Sequence, residues 1–169
     1  MELGNILTTI MDNIWNVLPV QKIHEYEQGL RWTWGKAGKI LHHGIHLYFP
    51  YLQSIDVQNT KLCVIISVPQ TIGQYTASFM LTYKMVDIKE RYLNMQDSEE
   101  EDLLLAISKG CVADILAGKT EEYIIVNKPD LETDIVRLVQ GHLRTLGYEV
   151  DDIKIIEYTK SKAFRLLSG

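Results

Sequence analysis

The residues best suited to chemistry are few and poorly assembled. His42, His43 and His46 form the histidine cluster of the chain. On a helix, His42 and His46 would share a face at the spacing a metal pair needs. Gly44 between them, and the alternation around it, point to a strand and loop instead. No carboxylate or cysteine stands nearby in sequence, so solvated loop histidines are expected and no metal site. Cys63 and Cys111 would need a neighbouring base and some exposure to act as nucleophiles. Both lie in apolar runs and read as buried free thiols, which suits a reducing compartment. Lys36 and Lys39 stand among glycines without the GxxxxGK[ST] spacing of a phosphate loop. The acidic run Glu99, Glu100, Glu101 and Asp102 follows Ser98, and Ser98 with Glu101 forms a capping box. Carboxylates there complement the positive end of a helix. No set of residues meets the requirements of an active site. The expectation is a protein that is not an enzyme and has no cofactor.

Composition sets the frame for those residues. The chain has 169 residues, 46% hydrophobic and 23% charged, which fits one globular domain with some decoration. A net charge of −5 and a pI of about 5.5 argue against a nucleic-acid partner, because phosphate binding needs a basic face. No signal peptide is expected, since a basic n-region and a small-residue cleavage site are missing. No apolar run reaches the about 18 residues that a transmembrane helix requires.

The elements follow in order. Residues 2–18 place Leu3, Ile6, Leu7, Ile10, Met11, Ile14, Trp15 and Leu18 on an amphipathic-helix pattern that Pro19 stops. Its polar face has no Lys or Arg, so only apolar insertion could hold it at lipid. Packing on its own domain or on another subunit is the alternative. Tyr26 to Lys36 reads as a hairpin with its turn at Gln28-Gly29, and with Leu30, Trp32 and Trp34 alternating onto one face of the second strand. Lys36 to His43 is a turn-rich connection. Short strands are expected at Ile45 to Phe49 and Leu52 to Gln58, and a buried β-branched strand at Lys61 to Val68. Pro69 to Gly73 turns the chain into a long strand, Gln74 to Val86. Ile88 to Asn94 is a short helix. A longer one follows Ser98, with Leu104, Ile107, Cys111 and Ile115 buried and Gly118 as its stop. Thr120 caps a short turn, Glu121 to Val126. The next helix starts at Asn127-Lys128-Pro129-Asp130, with Leu131, Ile135, Leu138, Val139, His142 and Leu146 facing inward and Gly147 at its end. Tyr148 to Glu157 is the last strand, and Lys160, Lys162 and Arg165 mark a basic tail. Strands segregated from helices give an α+β fold.

In order and spacing these pieces resemble the SPFH family, also called Band 7 or prohibitin-homology domains (stomatins, prohibitins, flotillins, HflK/HflC). The carriers are YEQGLRWTWGK (26–36), then Gly44, His46 and Pro50, then LTYKMVD (81–87). Gly118-Lys119-Thr120 with Glu122, and the closing GYEVDDIKIIE (147–157), complete the set. The resemblance covers about residues 20–159. It leaves 1–19 as an amphipathic N-terminal helix and 160–169 as a short basic tail. It implies an SPFH-like domain: a mostly antiparallel small sheet with two or three packed helices. His42 or His43 stands where the family has the proline of its Gly-Pro-Gly turn. The helix at 2–18 is expected in place of the family's membrane anchor, and its long C-terminal coiled coil is expected to be missing.

The resemblance implies a non-enzymatic scaffold that oligomerises laterally in a ring or lattice, at a membrane surface. Its partners would be copies of itself, other protein subunits and, through residues 2–18, membrane lipid. In the family the hairpin end lies near the membrane, so Trp32, Trp34, Tyr48 and Phe49 join Ile6, Leu7, Ile10, Met11, Ile14, Trp15 and Leu18 as membrane- or partner-binding residues. Their burial or exposure decides between core and docking surface. The expected location is the cytoplasm or the cytoplasmic face of the membrane. The alternative is a structural subunit of a larger particle, such as a phage collar or tail, and then a location in the virion.

Overall fold

The structure is a computed structural model that describes residues 19–95 and 100–160. The apolar stripe of residues 2–18, the Ser98 capping box and the basic tail beyond Lys160 lie outside the described residues. Two compact units divide the chain after Lys61.

The first unit is built from five short strands: β1 (Val20–Ile23), β2 (Glu27–Thr33), β3 (Lys36–Leu41), β4 (Gly44–Leu47) and β5 (Gln53–Asn59). β1 and β4 pair antiparallel, and β2 runs between β3 and β5. The sequence places the hairpin turn wrongly. Gln28 and Gly29 are ordinary members of β2, paired with Gln58 and Val57 of β5. The turn is Trp34-Gly35, both with positive φ (53° and 71°), as a two-residue type I′ hairpin requires. Gly29 has a packing role instead. A β carbon there would run into Ile23 Cδ1 and crowd Ile55 and Leu41. Ile23, Leu30 and Leu41 are the buried hydrophobic residues among those described in this unit. The stretch expected to be a turn-rich connection is strand β3.

The second unit is organised around β8 (Tyr75–Met85). One edge of β8 pairs along its whole length with β9 (Tyr148–Lys160), and β6 (Cys63–Ile66) and β7 (Gln70–Ile72) occupy successive lengths of the other. As the alternation predicts, Ala77, Phe79, Leu81, Tyr83 and Met85 all face the core. Four helices are described: α1 (Ile88–Asn94), α2 (Glu100–Leu116), α3 (Glu121–Val126) and α4 (Lys128–Leu143). Asp87 caps α1 by accepting from the amides of Lys89 and Glu90, and the Thr120 hydroxyl accepts from Tyr123 N at the start of α3. Gly118 stops α2 with a positive φ.

Three burial patterns differ from expectation. On α2 the buried residues are Leu104, Ser108, Cys111, Val112 and Leu116, with Ile107 and Ile115 half-buried. That helix is apolar on several sides, so periodicity alone does not orient it. Ser108 is tolerated inside because its hydroxyl donates to Leu104 O. On α4 Leu131, Ile135, Val139 and Leu143 are buried, whereas Leu138 and His142 are exposed. And β6 is a strand, but an exposed one: β-branched composition signals strand, not burial.

Candidate functional site

The chemistry-bearing side chains scatter. His42 and His43 are exposed, and His46 Nε2 lies 2.8 Å from the His42 carbonyl oxygen, so that nitrogen serves as a hydrogen-bond donor. No grouping of three or more potential metal ligands occurs among the described residues. Cys63 is exposed at the β6 edge, contrary to its expected burial, and Cys111 is buried on α2. Burial, then the charge of Asp114, pushes the Cys111 thiol up and away from the thiolate form. Of the acidic run, Glu100 has a structural partner: its carboxylate takes Arg91 at 2.6 Å (Nη2) and 2.9 Å (Nε). Arg91 is itself buried, and its Nε also donates to Tyr148 Oη.

Of the residues named for docking, Ile6, Leu7, Ile10, Met11, Ile14, Trp15 and Leu18 lie outside the described residues, while Trp34, Tyr48 and Phe49 lie on or next to two abutting turns of the first unit. Tyr48 is half-buried, and its amide donates to Pro19 O, which places the start of the described chain beside these turns. The segment after β4 then turns tightly, with the amides of Leu52 and Gln53 both donating to Phe49 O. Trp34 N donates to Leu52 O at 3.0 Å, so the β2–β3 turn and the 49–52 turn abut. Their apolar side chains face outward: Phe49 is 70% exposed, Trp34 76% and Tyr51 99%. Ile45 and Leu47, on one face of the preceding strand β4, are also well exposed. Tyr51, Ile45 and Leu47 were missed from sequence. A run from Ile45 to Leu52 broken only by His46 and Pro50 is the signal that could have found them.

Trp32 behaves differently. It is half-buried, and its Nε1 donates to Asp56 Oδ2 at 2.7 Å. Trp32 and Asp56 reach each other because Leu30 pairs with Asp56 and Trp32 with Ser54, putting both side chains on one face of the β2–β5 ladder. Between these strands and the two turns lies a cavity of about 440 Å³, lined among others by Trp32, Trp34, Pro50, Tyr51, Ser54 and Asp56.

Among the described residues, no helix is long and apolar enough to cross a membrane. A search of the curated proteins finds no match. The family model described as "SPFH domain / Band 7 family" matches residues 21–165, which take in both units. The glycines, the long β8 strand and the closing β9 strand that carried the resemblance all fall inside that match, and the chain belongs to the SPFH domain / Band 7 family.

Proposed function

We propose that the chain is a scaffold unit that seats the apolar end of its first unit on a membrane surface and packs side by side with copies of itself. Membership in the SPFH family is consistent with a scaffold-type, membrane-associated protein. The observation that carries the membrane part is the cluster of Trp34, Phe49 and Tyr51, all exposed on two abutting turns. Scattered exposed apolar residues are ordinary, but a contiguous patch marks an interaction site. Aromatic side chains suit the boundary between headgroups and acyl chains. Pro19 lies beside this end, and on this reading Ile6, Leu7, Ile10, Met11, Ile14, Trp15 and Leu18, outside the described residues, add apolar area to it. Lateral packing is supported by β6, a short strand at the edge of its sheet with Val64 and Ile66 outward.

Two measurements on the full chain test the two parts. In flotation with phosphatidylcholine/phosphatidylglycerol vesicles, wild type should rise with lipid, and the Phe49→Asp/Tyr51→Asp variant should stay below. Ile10→Asp and Trp15→Asp report separately on the N-terminal segment. Equal flotation of wild type and the Phe49/Tyr51 variant removes the membrane role of this end. Mass measurement on the lipid-bound protein should give a multiple of the chain mass. A monomer at high surface density removes the lateral assembly.

A further inference from the structure

The cavity between the two turns has a chemical character of its own. Two tryptophans and a tyrosine are among its lining residues, with Gly35, Pro50, Leu52, Gln53 and Ser54, and Asp56 supplies a carboxylate. None of its lining residues among those described is Lys or Arg. Aromatic faces carry negative quadrupole potential, tryptophan most strongly, and they attract cations that are cheap to desolvate. A carboxylate whose Oδ2 is held by Trp32 Nε1 adds a fixed negative charge without needing reorganisation.

A second observation points the same way. Trp34 sits at φ 53°, in the left-handed region, where a bulky side chain is strained and where Asn or Gly is the ordinary occupant of a type I′ turn. Its ring is 76% exposed, so burial does not account for its presence. Trp34, strained and exposed, lines the same niche as a second tryptophan and a carboxylate.

From this geometry we infer that the niche binds a quaternary alkylammonium group of the choline type, the headgroup cation of a zwitterionic lipid. The inference rests on the membrane-surface reading for its biological source, but its chemistry stands apart from that reading. A trimethylammonium group spreads its charge over methyl groups, loses little hydration, and presents an apolar surface to Trp32, Trp34 and Tyr51 while Asp56 balances the charge. The niche belongs to the end with Phe49 outward, so a headgroup held there would lie beside the inserted aromatic residues.

Titration of the full chain with choline chloride and with phosphocholine, followed by tryptophan fluorescence against sodium chloride at equal ionic strength, is the direct test. Saturable binding on the order of millimolar is expected for so small a ligand. Ethanolamine should bind more weakly than choline, because its primary ammonium is better hydrated. Trp34→Asn and Asp56→Asn should each weaken choline binding by about tenfold. Neither variant threatens the fold: Asn at 34 creates the Asn-Gly pair the turn prefers, and Asn at 56 keeps an acceptor for Trp32 Nε1. Binding of free choline with no preference of the protein for phosphatidylcholine over phosphatidylglycerol vesicles would assign the niche to a soluble alkylammonium ligand. A response to choline no larger than to sodium, or one unchanged by both variants, overturns the proposal. Flotation that survives such a result would leave the membrane role of Phe49 and Tyr51 standing, and choline binding without flotation would remove that role alone.

Discussion

At the scale of single residues, stability and use pull apart at Trp34. A tryptophan held at φ 53° carries a conformational cost of about 1–2 kcal/mol, which Asn bears more easily. Trp34→Asn should therefore stabilise the first unit by about 1 kcal/mol in urea unfolding while it weakens lipid and choline binding. Arg91 and Glu100 behave in the opposite way. Their ion pair is inside the second unit, with Arg91 Nη2 at 2.6 Å from Glu100 Oε2. Glu100→Ala removes the carboxylate that takes both Nη2 and Nε of Arg91, and a loss of about 3 kcal/mol is expected in the same assay. Sequence gave no hint of this pair, because Glu100 read as one of several helix-start carboxylates. The partner choice depends on how α1 folds back.

Buried tyrosines of the second unit contribute to its response to alkaline pH. Burial, followed by the charges of Cys63, Glu100 and Glu101, raises the pKa of Tyr83 well above its ordinary 10.0. Tyr148 is raised too, by burial and then by its hydrogen bond with Glu100. Above pH 10 the unfolded chain gives up these protons and the folded one holds them, so ionisation favours unfolding. Stability is fully present below that pH and declines as pH rises above it. Urea midpoints measured from pH 8 to pH 11.5 should fall above pH 10, and Tyr83→Phe should flatten part of that fall.

At the scale of elements, β9 is held to α4 by two polar clamps that no pattern in the sequence discloses. β9 carries an extra residue at Asp151 and another at Ile156, where its register against β8 shifts. Bulges leave ladder groups without strand partners. Next to the first, Val150 N donates to Gln140 Oε1 at 2.7 Å, and next to the second, Ile155 N donates to Glu132 Oε1 at 2.9 Å. Glu132 is buried and also takes Lys154 Nζ at 3.3 Å. Glu132→Leu should cost about 2 kcal/mol by chemical denaturation, since it strands a buried amide, despite placing an apolar residue in the core. Sequence reading passed over Glu132 because a carboxylate on the inward face of a helix breaks the amphipathic pattern. It read the long strands and helix ends well, since alternation from Tyr75 to Met85 and stops at Gly118 and Gly147 act locally. The turn at Trp34-Gly35 is hard to read from sequence because tryptophan is a poor turn former, whereas Gln28-Gly29 has a turn-like composition.

At the scale of the whole molecule, family and fold class were legible, while the working surface was only half legible. Trp32, Trp34, Tyr48 and Phe49 were named from sequence, and the structure separates them. Trp34 and Phe49 face out, Tyr48 is half-buried, and Trp32 turns toward Asp56. Exposure is a property of how two turns abut, which no single stretch encodes. The Ile45–Leu52 apolar run marks Tyr51 in sequence, but its outward face is visible only in the fold, and Val64 and Ile66, apolar by composition, are found on a sheet edge.

The depth of Trp34 in a bilayer tests the central claim most directly. The chain has three tryptophans, at 15, 32 and 34, so a Trp15→Phe/Trp32→Phe protein reports on Trp34 alone. Bound to vesicles whose acyl chains carry bromine near the headgroup, its emission should be strongly quenched, more than with bromine near the chain ends. Emission from vesicle-bound protein that bromine leaves unchanged at every depth would contradict the account.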